Sequence, residues 1–342
     1  MQINSTPEIL SFLKRCERNL SDTRINEFLD ARVTPGNMHY LQKQLKKAGA
    51  QEFNKEPWPS LFVSTKEWLE SPYHKNIHLG NVSDDHFRYE RETVEAGYLF
   101  NIDAVQPDED KELKDWMKLR AMDEDYEALY LYQDDQDWMV DAISECVTND
   151  PCAEKAHGNV LTFGLGIGYF VYMAMRNPLV ESITVAEKSQ AVIDMFKAYL
   201  LPQFPKNIPL HVVQGDAFDL FHEDYLKQYD YVYTDIWQSG EDGLFTMARL
   251  LNGLNADTEK YDFWIEDSCV VPLRTLIYME YRLILEGKKL PVTKEYEPLM
   301  QKVQGWFEAQ SLVVNDVEQL KFFLYDRKTL RDILTYDIGE KV

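Results

Sequence analysis

Apolar positions change their spacing twice along this chain, and each spacing predicts a different kind of element. Thr6-Pro7-Glu8 opens a helix with a capping side chain, a proline in the first turn and an early acid, and Ile9, Leu13, Cys16 and Leu20 follow at helical intervals. A second helix is expected after Ser21. A third carries Leu41, Leu45 and Ala48 on one face, with Lys43, Lys46 and Lys47 elsewhere and Gly49 near its end, so its basic cluster reads as a solvated face. From Pro57 to Tyr132 the pattern shifts to aromatic and β-branched residues that alternate, at Phe87, Tyr89 and Arg91 and again at Tyr98, Phe100 and Ile102, which predicts short antiparallel strands. Within that stretch the acidic run Pro107 to Glu112 is expected to be an exposed loop, Leu113 to Met122 a helix, and Ala128 to Tyr132 another strand.

Beyond this the chain alternates apolar runs with helical patterns. Strands are expected from Val160, over Ser182 to Ala186, Leu210 to Gln214, Tyr229 to Thr234 and Tyr261 to Ile265. Helices are expected at Tyr169 to Met175, Gln190 to Leu200, Phe218 to Lys227 and Leu244 to Leu251, and beyond Pro272 the pattern is mainly helical, through Leu285 and again over Leu299 to Ala309. Such alternation calls for a doubly wound α/β fold, a mostly parallel Rossmann-like sheet with right-handed crossovers. The expected organisation is a helical region over 1–56, a small β-rich accessory region over 57–132, and a Rossmann-like domain with a helical C-terminal part over 133–342.

Chemistry concentrates where these strands end. The segment VLTFGLGIGYF, Val160 to Phe170, runs an apolar strand into Gly164, Gly166 and Gly168, and a glycine turn at a strand's carboxyl end lets main chain approach a ligand closely. A dinucleotide fingerprint places its third glycine three positions after the second, where Tyr169 stands here, so the even spacing points away from a pyrophosphate. The second strand ends at Glu187, where a doubly wound sheet places an acid that accepts hydrogen bonds from ribose hydroxyls. The third leads into Gly215-Asp216-Ala217 and the fourth into Asp235-Ile236-Trp237.

Read in order, VLTFGLGIGY, VAEKSQAVI, GDAFDLF, YDYVYTDIWQ and GLFT resemble the cofactor domain of class I S-adenosylmethionine-dependent methyltransferases, and among them the spermidine synthase branch, which reads VLxxGGGDGG, VExD..VI, GDxxxF, YDxIxxDxxDP and LF. The resemblance covers Val160 to about Phe245. It implies S-adenosylmethionine as cofactor, with Gly164, Gly166 and Gly168 lining its methionine-like part, Glu187 holding the ribose, Asp216 and Ala217 meeting the adenine, and Asp235 beside the sulfonium as catalytic residue. Tyr169 and Trp237 are the residues expected to wall the acceptor. It also implies a closing antiparallel hairpin, for which Leu320 to Tyr325 is the candidate strand. The departures are Ile167 in place of an acid, Ser189 in place of the second acid after Glu187, no proline after Asp235, and Gln133 to Asp141 without the polyamine-gripping pattern. The expected activity is therefore methyl transfer to an unidentified small-molecule acceptor. The alternatives are aminopropyl transfer to a polyamine from decarboxylated S-adenosylmethionine, and a cofactor-binding module without catalysis.

A net charge of −22 over 342 residues opposes binding to nucleic acid or anionic membrane and permits a cationic acceptor. Cys16, Cys146, Cys152 and Cys269 are scattered and form no zinc-type spacing, and the histidines form no constellation visible in sequence, so no metal is expected. A reduced, cytoplasmic protein is the simplest reading, since no apolar run approaches the ~20 residues needed to span a bilayer. A homodimer is compatible with all of this.

Overall fold

The computed structural model describes residues 1–50, 57–84, 86–104, 106–107, 112–134, 136–254 and 259–339. Its centre is a five-stranded sheet. Ahead of this in the chain, an antiparallel sheet is formed by β1 (Val82–Ser83), β2 (Phe87–Val94), β3 (Tyr126–Gln133) and β4 (Gln136–Val140), in the order β4-β3-β2-β1. The five central strands are β5 (Gly158–Phe163), β6 (Val180–Glu187), β7 (Leu210–Gln214), β8 (Tyr231–Thr234) and β9 (Tyr261–Phe263), ordered β7-β6-β5-β8-β9 and all parallel.

Helices cover both faces of the central sheet, and its middle strands are accordingly apolar throughout rather than alternating. Val160 to Phe163 and Tyr231 to Thr234 are buried without a break. The tyrosines of β8 carry their hydroxyls into this core by finding partners: Tyr231 donates to Asp262 at 2.8 Å and Tyr233 to Asn149 at 2.8 Å. Chain order reverses between β5 and β8, and Phe163 pairs with both Ala186 and Thr234, so the carboxyl ends of β5, β6 and β8 finish level along one edge.

The helical amino terminus forms as its sequence dictates but packs in two places. Thr6 caps helix Pro7–Leu20 by accepting from the Ile9 amide, and Ile9, Phe12, Leu13 and Cys16 enter the main core beside Val271–Glu286 and Val317–Tyr325. Ile25, Val33, Leu45 and Ala50 instead share a smaller cluster with Leu61, Leu99, Leu119 and Ala121. After Ser21 the helix is a short 3₁₀ turn, Arg24–Phe28.

Two expected elements have the opposite type. Leu113 to Met122 is not a helix. Leu113 sits in the left-handed region at φ 58°, and Leu119–Met122 is a strand paired with Phe62–Val63 and Phe100–Asn101. Helix propensity there yields to pairing with segments distant in sequence. Leu320 to Tyr325 is not a strand, because Asp316 caps helix Val317–Tyr325 and Leu320, Phe323 and Leu324 bury one helical face. The central sheet ends instead at β9, whose Tyr261 carbonyl accepts from Arg331 of helix Arg327–Leu334 at 2.8 Å, so a helix covers the edge that a further strand would use. The expected helix over Phe218 to Lys227 is split into Ala217–Leu220 and Glu223–Leu226. Of the expected acidic loop, residues 108–111 lie outside the described residues; Glu112 is buried and paired with Arg15 at 3.0 Å, not exposed.

Candidate functional site

A cavity of about 500 Å3 opens at the carboxyl edge of the central sheet, where β5 and β8 diverge. Gly164, Gly166, Tyr169, Glu187, Asp216, Ala217, Asp235 and Trp237 all line it. Gly168 does not. It starts helix Tyr169–Met175 with φ 76°, and its Cα faces the rings of Phe196 and Phe204.

The glycine loop is held on both sides by main chain. Gly164 donates to the Ala186 carbonyl at 3.1 Å, and the Asp235 amide donates to the Phe163 carbonyl at 3.0 Å. A side chain on Gly164, at φ 94°, would place its Cβ 2.0 Å from the Asp235 carbonyl oxygen, so this crossing requires glycine. At Gly166 the neighbour is the end of the Met139 side chain, supplied by β4. The antiparallel sheet thus roofs the loop. Tyr73 donates to the Ile167 carbonyl at 2.7 Å, and Gln238 donates to the Asp137 carbonyl at 3.3 Å across the opening.

Glu187 is the acid that fixes the loop. One carboxylate oxygen accepts from the Leu165 amide at 3.1 Å and the other from the Ser189 amide at 2.8 Å. Burial raises its pKa, opposed by the amides of Ser189, Leu165 and Lys188. A carboxylate has about four acceptor positions, so these amides leave it capacity for a further donor. Asp216 caps the following turn by accepting from the Phe218 amide at 3.0 Å and pairs with Lys188 at 2.9 Å; the Lys188 contact, then the amide, hold its carboxyl below the usual range.

Asp235 is half-buried, and burial, reinforced by the charge of Glu145, pushes its carboxyl well above the ordinary range. Glu145 lies on helix Ile143–Lys155 and shares the cavity wall. Its own pKa is raised to about 7 by burial, with the charge of Asp141 adding to the shift. No hydrogen bond joins either carboxylate to another described residue. Tyr169 commits its hydroxyl to Asp150 at 2.8 Å and offers the cavity only its ring, while Trp237 is buried with its indole nitrogen unpaired.

Glu145 and Asn149 are the site residues that sequence reasoning missed. A lone acid on a helix of low amphipathicity carries no motif, yet the two stand one turn apart on a single helix face, which is the signal that was present. Met139 and Val140, from the segment Gln133 to Asp141, complete the roof.

No family model matches this chain, and no curated protein matches it. Among solved structures it is similar to the spermidine synthase of Thermotoga maritima, at 14% identity over 52% of each chain with a TM-score of 0.28. A spermidine synthase in complex with the transition-state analogue AdoDATO is 14% identical over 52% of this chain and 53% of that one, with a TM-score of 0.29. The shikimate dehydrogenase of Mycobacterium tuberculosis is 14% identical over 42% of this chain and 59% of its own, with a TM-score of 0.23. The chain spans about half the length of the spermidine synthases it is similar to. Among the described residues no helix is long and apolar enough to cross a membrane.

Proposed function

We propose that this chain is an S-adenosylmethionine-dependent methyltransferase acting on a small cationic acceptor. The observation that carries the reading is the convergence of Gly164, Glu187 and Asp235 on one cavity at the sheet's carboxyl edge. The fit to the cofactor rests on two features: a glycine loop whose main chain crosses that of Asp235 closely at the cavity edge, and an acid lining the cavity beside it with acceptor capacity left over.

When bound, the cofactor supplies an electrophilic methyl group on a sulfonium centre. Glu187 accepts the ribose hydroxyls, and charge-assisted hydrogen bonds of this kind contribute about 1.5–3 kcal/mol each. Asp216 and Ala217 border the adenine, and the Gly164–Gly166 main chain borders the amino-acid arm. Asp235 and Glu145 face the reacting centre. An arriving ammonium lowers the pKa of both carboxyls by offering the counter-charge they lack; Asp235, once ionised, takes the ammonium proton and so leaves the nitrogen the lone pair it needs to act as nucleophile. Trp237 and the Tyr169 ring supply an aromatic wall for a cationic group.

A second reading is favoured by one observation. Asp137, Glu145, Glu187, Asp216 and Asp235 line the cavity, and Lys188, the cation among the described lining residues, is already paired with Asp216. Such a wall suits a cofactor without a carboxylate, hence aminopropyl transfer from decarboxylated S-adenosylmethionine. Calorimetric titration with both compounds decides. Micromolar binding of S-adenosylmethionine supports methyl transfer, a clear preference for the decarboxylated form supports the second reading, and binding of neither overturns both. Tight binding without turnover across a panel of small amines would instead indicate a binding module.

A further inference from the structure

On the far side of the segment that walls the cavity, three side chains of different chemistry meet. His74 comes from the short helix Pro72–Asn76, Asp141 from the residue that follows β4, and Cys146 from helix Ile143–Lys155. A ring nitrogen of His74, a carboxylate oxygen of Asp141 and the Cys146 sulfur all lie within 4.8 Å of one another. Asp141 and Cys146 are buried, and the His74 side chain is 7% exposed. We infer that His74, Asp141 and Cys146 form a binding site for a borderline-soft divalent cation of the zinc type, separate from the cofactor cavity.

The ligand set is one that zinc accepts, a nitrogen, an oxygen and a sulfur, with a fourth position left over. Tetrahedral ligands at ordinary zinc bond lengths stand roughly 3.3–3.8 Å apart. The His74 Nε2 to Asp141 Oδ1 distance of 2.7 Å would have to open by about 0.7 Å, and the widest separation in the trio would close by about 1 Å. The histidine is already oriented from its other side. Its Nδ1 pairs with Ser71 Oγ at 2.6 Å, leaving Nε2 directed at Asp141, and an outer partner of this kind is what metal-bound imidazoles normally have.

The sulfur has donors around it as well. The Trp68 indole and the Tyr169 hydroxyl neighbour it, the latter already donating to Asp150. Trp68 Nε1 is itself buried without a hydrogen-bond partner, and the Trp68 ring lies 4.3 Å from that of His74. A buried donor beside an uncharged thiol is poorly satisfied; beside a metal thiolate it is not. Access is provided by a cleft of about 560 Å3, lined by His74, Asp141, Tyr73, His78 and Arg91 among others. Binding replaces the thiol proton by the cation. Its role would be a clasp, because the ligands tie the antiparallel sheet and its preceding helix to the helix that carries Glu145.

The test uses the full, tag-free chain stripped with chelator, then titrated with Zn2+ and, separately, Co2+. The expected result is one ion per chain, a rise of a few degrees in the melting midpoint, and a near-ultraviolet thiolate-to-cobalt absorption band. Cys146→Ser should abolish that band, and Ser71→Ala, which leaves all three ligands in place, should weaken binding about tenfold or more. Absence of stoichiometric binding, or cobalt bound without the thiolate band, overturns the inference. The band is read on the unaltered protein, so a variant that fails to fold does not blunt the test. Neither outcome depends on which cofactor the neighbouring cavity takes.

Discussion

The carboxylate of Glu187 accepts the Leu165 amide at 3.1 Å, so the acid that ends β6 also holds the glycine loop that follows β5. One residue thus shapes the loop and, in the proposed function, grips the ribose. Substitutions must separate these roles. Glu187→Gln retains an amide oxygen for one loop contact but loses the charge, and should weaken cofactor binding roughly tenfold, about 1.4 kcal/mol, with a smaller fall in melting temperature than Glu187→Ala because one of the two amides keeps its acceptor. Glu187→Ala should weaken binding at least as much and also lower stability, because the buried amide of Leu165 loses its acceptor. Calorimetry paired with thermal denaturation reads both. Unchanged binding in both variants would remove the ribose assignment.

Gly164 makes a second, independent prediction. Gly164→Ala meets both a left-handed backbone at φ 94° and the Asp235 carbonyl 2.0 Å from the new Cβ. The conformational part alone costs about 1–2 kcal/mol, and the main-chain collision adds to it. Gly253→Ala is the control, since its φ of 80° is also left-handed but nothing lies within 4 Å of the added carbon. Chemical denaturation should show Gly164→Ala clearly the more destabilising of the two. Equal effects would mean that the close approach of the loop to Asp235 is not rigid.

These two residues were legible in the sequence because their signals are local. A strand running into glycines, or into an acid, needs only neighbouring residues to be recognised, and the alternation of strand and helix from Val160 onward gave the parallel sheet in the same way. The misread elements depend on distant partners. Leu119–Met122 is a strand because Phe62–Val63 and Phe100–Asn101 pair with it, which outweighs its helix-forming composition. Leu320 to Tyr325, the candidate for the hairpin that the resemblance implies, is a helix, and Arg331 occupies the edge of β9. Glu145 was invisible for a related reason: its importance comes from facing Asp235 across a cavity, not from a spacing along the chain.

The closing of that sheet edge predicts a large effect from a single buried residue. Arg331 is fully buried, donating to both oxygens of Glu266 at 2.7 Å as well as to the Tyr261 carbonyl. Burial alone would raise the Glu266 pKa, but Arg331, with Arg327, holds it below the usual range. Arg331→Ala leaves Glu266 buried with Arg327 as its remaining guanidinium partner and should destabilise the fold by about 3–5 kcal/mol. Arg331→Ala with Glu266→Ala should recover part of that loss, because the buried carboxylate left short of one guanidinium is gone. Equilibrium unfolding of the two variants measures the difference, and no recovery would place the effect in lost packing rather than in the ion pair.

The pair of carboxyls facing the cavity gives a pH dependence whose sign is fixed. The Glu145 pKa is raised from 4.5 to about 7 by burial and by Asp141, so the folded state holds its proton more tightly than the unfolded chain does. Stability from this group is complete below about pH 4.5 and is lost as the pH rises to about 7. Asp235, raised by burial and by Glu145, acts in the same direction. Glu145→Gln keeps the shape and cannot ionise, so it should match the unaltered protein at pH 4 and exceed it at pH 8, by up to about 3 kcal/mol. Denaturant midpoints taken across that range read the effect directly. A cationic ligand should narrow the gap, because it stabilises the ionised pair in the unaltered protein alone. Should the two proteins keep parallel stability curves from pH 4 to pH 8, Glu145 is not held protonated in the fold, and the proposed welcome for an ammonium group loses its electrostatic basis.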